Sequence, residues 1–104
     1  MFVKQDGVAL YAARIPNDIE VTPETLRQMS INLPHTARLL APQLEFDVIA
    51  YACTSGATII GEARVDELIR DSHPAAKTTN PLSASKAALA ALGIRRIALV
   101  TPYA

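Results

Sequence analysis

Short apolar runs of strand length alternate with helix-patterned stretches along this chain of 104 residues, and that alternation admits few architectures. Strands joined through helices run parallel, so the expected class is α/β, with a parallel sheet of about four strands and helices on both faces. The strand candidates are residues 7–13, 48–52, 76–79 and 97–100. The run 48–52 is almost continuously apolar, the pattern of a parallel strand covered on both faces. A chain of this length holds a single core, so residues 1–104 are expected to form one domain.

The helix signals lie between these runs. Thr22 has the chemistry of an N-cap, Pro23 fits the first helical position, and Glu24 suits the positive end of the helix dipole. Leu26, Met29 and Leu33 continue the apolar face. Pro34 is expected to interrupt it, so that residues 39–44 belong to a kinked continuation or to a second helix. Val65, Leu68 and Ile69 mark a helix that ends before Pro74. Ser83 or Ser85 is the expected cap of a helix over 84–92, closed by Gly93.

Ten basic and ten acidic side chains cancel, and no run of like charge exceeds Arg95-Arg96, so nucleic acid is not an expected partner. No apolar stretch approaches the ~20 residues of a membrane helix, and the first residues lack the apolar region of a signal peptide. No membrane partner and a cytoplasmic location are the expectations. The single cysteine, Cys53, cannot pair within the chain or build a metal site alone, so no metal is expected and its role is that of a thiol. Half the residues are apolar, but 18 of them are alanine, which leaves a thin core and modest stability. Exposed strand edges predict self-association into a homo-oligomer, most simply a dimer.

In open parallel sheets ligands bind beyond the carboxyl ends of the strands. In this chain those ends carry Arg14, Cys53-Thr54-Ser55, Thr79 and Tyr103. A thiol, several hydroxyls and a guanidinium on one rim suit a small carboxylate. The helix that follows the Cys53-Thr54-Ser55-Gly56 loop favours the thiolate, which is the nucleophilic or basic form. Each residue also has a plain structural reading: free cysteine commonly packs as a small hydrophobe, Thr54 or Ser55 caps a helix, Arg14 pairs with Asp18 or Glu20, and Tyr103 plugs the terminus. Position 59 is Ile59, where a cysteine phosphatase loop needs arginine, and no dinucleotide, NTP or hydrolase-elbow motif occurs.

The segments 47–56, with Cys53-Thr54-Ser55-Gly56, then Gly61, Thr78-Thr79, 87–93 and 96–103, ending Thr101-Pro102-Tyr103, together resemble the aspartate/glutamate racemase superfamily. Within it they are most similar to the maleate cis-trans isomerase branch, including racemase-like proteins of ectoine utilisation; residues 13–16 and 21–29 share that likeness. The resemblance implies a flavodoxin-like half of a two-halved, cofactor-independent enzyme acting on a small dicarboxylate or amino acid. Cys53 would be the first-half thiol, Thr54 and Ser55 would hold the substrate carboxylate, and Tyr103 would donate its hydroxyl to it. Family members are more than twice as long, so the chain is expected to be an internal piece holding half a site, with little turnover alone. The alternative, from another class, is a non-catalytic carboxylate-binding or oligomerisation module.

Overall fold

A computed structural model describes residues 6–41 and 43–101. The protein is α/β: four helices pack with a small sheet of two parallel strands. In chain order these are α1 (Pro23–Arg38), β1 (Val48–Ala50), α2 (Thr54–Ile60), α3 (Glu62–Arg70), β2 (Lys77–Thr79) and α4 (Pro81–Ala91).

Helix α1 starts where its cap dictates. The Thr22 hydroxyl accepts the amide of Thr25 at 3.2 Å, and the Thr25 hydroxyl accepts the amide of Thr22 at 2.9 Å, which satisfies two otherwise orphaned donors. The helix then runs unbroken through Pro34, contrary to the break expected there. The missing amide costs one hydrogen bond. Leu33, Thr36 and Ala37, buried on either side of the proline, hold the last turn against the core.

Strands β1 and β2 pair in register Val48↔Lys77, Ile49↔Thr78 and Ala50↔Thr79. The pairing extends by one bond at each end, from Lys77 N–H to the Asp47 carbonyl at 3.0 Å and from Tyr51 N–H to the Thr79 carbonyl at 2.9 Å. Ile49 and Tyr51 turn into the core with Met29, Leu33, Val65, Leu68 and Ile69. Val48 and Ala50 face outward and are exposed, so β1 is covered on one face only.

Segments 7–13 and 97–100 carry no strand. Their strand-like sequence is present, but a strand exists only as a pair, and neither segment is hydrogen-bonded to a neighbour in a ladder. Two further boundaries differ from the sequence reading. The stretch after Cys53 is itself a helix, α2, and Asn80 rather than Ser83 or Ser85 caps α4, its side chain accepting the Ser83 amide at 2.9 Å with Pro81 at the first helical position. Gly93 closes α4 as the sequence predicts: at φ +67° it lets Ile94 N–H reach the Leu89 carbonyl and its own N–H reach Ala90.

Gly61 alone separates α2 from α3. At φ 92° and ψ 138° it serves as the end of one helix and the start of the next, a conformation that side-chain-bearing residues avoid. Helix α3 is fastened on both sides: Asp66 accepts from Thr78 of β2, and Glu62 accepts from Ser83 and Lys86 of α4. No described helix is long and apolar enough to cross a membrane.

Candidate functional site

The carboxyl end of β1 delivers the chain through Tyr51 and Ala52 to Cys53, which is the N-cap of α2. Its extended backbone, φ −138° and ψ 112°, leaves the side chain facing the first turn. The sulfur accepts the amide of Gly56 at 3.3 Å and lies 3.6 Å from the Ser55 hydroxyl. Cys53 is half-buried, with its side chain against the edge of the core. The plain reading of a capping residue thus falls on Cys53 itself, not on Thr54 or Ser55.

Thr54 and Ser55 form the first two positions of α2. Ser55 is half-buried beside the sulfur, whereas Thr54 is exposed and only its carbonyl is engaged, by the Thr58 hydroxyl at 2.9 Å. Thr79 and Asn80 arrive at the same end of the sheet, because Tyr51 N–H bonds the Thr79 carbonyl. Arg14 is exposed on the irregular segment before α1 and makes no hydrogen bond or ion pair with a described residue, so neither its placement at the sulfur nor its pairing with Asp18 or Glu20 is observed. Tyr103 lies outside the described residues.

Two residues shape this corner that the sequence reading did not single out. Tyr51 is 3 % exposed and its hydroxyl donates to the Met29 sulfur at 3.7 Å. Burial, and secondarily the neighbouring Cys53 as a charge and as a hydrogen-bond partner, hold the phenol protonated far above the usual tyrosine range. Gly56 is the other: a β-carbon on it would collide with the Tyr51 hydroxyl and stand 3.1 Å from the Cys53 sulfur. The alternation of Ile49, Tyr51 and Cys53 along β1 and just past it was the available signal, since it places all three on one face.

His73 is no part of this corner. Its Nε2 is 2.8 Å from the Ala37 carbonyl, and its ring packs edge-on against Phe46. Among the described residues no group of three or more His, Cys, Asp or Glu side chains is placed to hold a metal ion.

The arrangement therefore offers one accessible sulfur at the mouth of a parallel strand, an amide aimed at it, and a hydroxyl beside it. Comparison with family models, with curated proteins and with solved structures finds no match for this chain.

Proposed function

We propose that the chain is a cofactor-independent isomerase or racemase-like protein of the aspartate/glutamate racemase superfamily, acting through Cys53 on a small dicarboxylate or amino acid. The observation that carries this reading is the position of the sulfur: at the strand's carboxyl end, half-exposed, and receiving the Gly56 amide at 3.3 Å. The same amide is the N-cap bond of α2, so the helix itself supplies a donor to the sulfur.

In the maleate isomerase form, the Cys53 thiolate attacks one alkene carbon, and the electron pair moves onto the neighbouring carbon beside the second carboxylate. The remaining single bond rotates, and expulsion of the thiolate restores the double bond in the trans diacid. No atom is gained or lost. In the racemase form the thiolate takes the α-proton, and a second thiol on the opposite face, from outside this chain, returns one. Ser55 and Thr54 would bind a substrate carboxylate at the start of α2. The finer architecture belongs to the same proposal: in the working protein, residues 7–13 and 97–100 join β1 and β2 in a four-stranded parallel sheet with helices on both faces.

A second reading, a non-catalytic carboxylate-binding or oligomerisation module, is favoured by Arg14, which is exposed and makes no ion pair with a described residue, whereas a cation that binds the substrate should converge on the sulfur. The decisive experiment incubates the protein with maleate and follows both fumarate formation and a covalent succinyl adduct by mass spectrometry, alongside α-proton exchange of aspartate and glutamate. Adduct or exchange that disappears in Cys53→Ser supports the catalytic reading. Activity unchanged in Cys53→Ser, or a Cys53 thiol of the unaltered protein that forms no adduct with maleate, rejects it.

A further inference from the structure

The outer edge of β1 is open. In a parallel ladder a residue's N–H and C=O point to the same side and neighbours alternate. Asp47 and Tyr51 face β2, so Val48 and Ala50 present their backbone groups to the opposite side, where no strand pairs with them. Beyond that edge lies a groove of about 380 Å³, bounded by residues 48–52 on one side and 9–13 on the other, with Leu33, Ala37 and Ile69 among its lining. Both banks are apolar and lie outside any helix, and among the described residues neither is paired with the other in a ladder across the gap.

The same molecule carries an apolar segment that lies in no helix or strand. In residues 97–100, Ile97 is 58 %, Leu99 77 % and Val100 94 % exposed. Arg95 and Arg96 precede this segment, and Glu45 and Asp47 precede or adjoin β1; none of the four forms an ion pair with a described residue. A parallel addition of 97–100 to the edge of β1 sets the two arginines beside the two carboxylates.

The exposed area leaves room for an interface of ordinary size. The chain exposes 8214 Å², whereas a folded monomer of its mass exposes roughly 5,700 Å². Even half of the difference exceeds the ~800 Å² that each partner contributes to a standard interface.

We propose that this groove is a strand-acceptor slot filled by residues 97–100 of a second copy of the chain, the two copies exchanging these segments reciprocally in a closed two-fold dimer. The inserted strand pairs with the Val48 and Ala50 edge, and gives 9–13 the neighbour it needs to become a strand. The proposal does not depend on the chemistry assigned to Cys53.

The test is light scattering coupled to size-exclusion chromatography on the 104-residue chain, with hydrogen exchange at the Val48 and Ala50 amides. The expected result is a mass about twice the 11.2 kDa of one chain, with both amides protected. Ala98→Pro removes a donor from the inserted strand at an exposed position, and Asp47→Lys reverses a charge at the slot. Each should return the mass to that of one chain and expose both amides, and Asp47→Lys combined with Arg95→Asp and Arg96→Asp should restore the dimer. A monomer at millimolar concentration overturns the proposal, including one with protected amides, which would mean a segment of the same polypeptide fills the slot. So does a dimer indifferent to Ala98→Pro.

Discussion

The hydroxyl of Tyr51 occupies the space that a β-carbon on residue 56 would need, so strand β1 and helix α2 meet through the absence of a side chain at Gly56. This contact seats the tyrosine under the first turn of α2 and holds the turn that aims the Gly56 amide at the Cys53 sulfur.

Alanine at position 56 should therefore reverse the usual helix rule. Gly to Ala inside a helix commonly gains about 1 kcal/mol, but overpacking a buried site costs about 1–3 kcal/mol. Because Tyr51 is buried with few places to go, the second effect wins. Urea denaturation should show Gly56→Ala less stable than the parent by about 1 kcal/mol or more, and the pairing of Gly56→Ala with Tyr51→Phe should recover part of that loss.

Tyr51 should make the protein alkali-labile. A phenol kept protonated in the fold but free to ionise near pH 10 when unfolded means that the native state binds more protons above that pH. Stability is then intact below about pH 10 and declines as pH rises beyond it. Denaturant midpoints measured from pH 8 to 11 should fall, and Tyr51→Phe should flatten the decline; a parent protein with a level profile contradicts the assignment.

Acid should loosen α3. The carboxyl of Glu62 is held below its ordinary range chiefly by the Lys86 hydrogen bond and next by Ser83, and that of Asp66 chiefly by Thr78. Both contribute stability that is present above the usual carboxylate range of about 4 and is lost as pH falls through their lowered values. Lys86→Ala with Ser83→Ala should reduce the acid dependence of the denaturant midpoint without altering the midpoint's order among core variants.

The Thr22 cap should be worth about 1 kcal/mol. Thr22→Ala removes the acceptor for the Thr25 amide and half of a reciprocal pair. Circular dichroism melts should show a lower midpoint, with Thr22→Ser close to the parent.

Local chemistry was the part of this fold most legible in the sequence. Thr22, Pro23 and Gly93 sit where their conformational preferences put them, and the 48–50 and 77–79 runs pair in parallel. Boundaries governed by competition were harder to read. Asn80 and the two serines after it are all good caps, and Pro81, fitting the first helical position, favours Asn80. Pro34 breaks a helix on propensity alone, and the packing of Leu33 and Ala37 overrides it. Residues 7–13 and 97–100 have strand composition, but composition does not supply a hydrogen-bonding partner. For the site, the strand-end rule pointed to Cys53, which follows β1 and has the Ser55 hydroxyl beside it. It said nothing of Tyr51, which is aromatic and buried and therefore looks like any core residue until its hydroxyl is traced.

The one-residue elbow at Gly61 leaves α2 no slack. Seven residues separate that hinge point from Cys53, and the helix between them is a stiff rod. With no loop between them, the backbone angles of Gly61 alone set the angle between α2 and α3. A side chain at position 61 would meet no atom within 4 Å, yet the positive φ would strain it, so the cost of such a change would fall on the joint between the two helices.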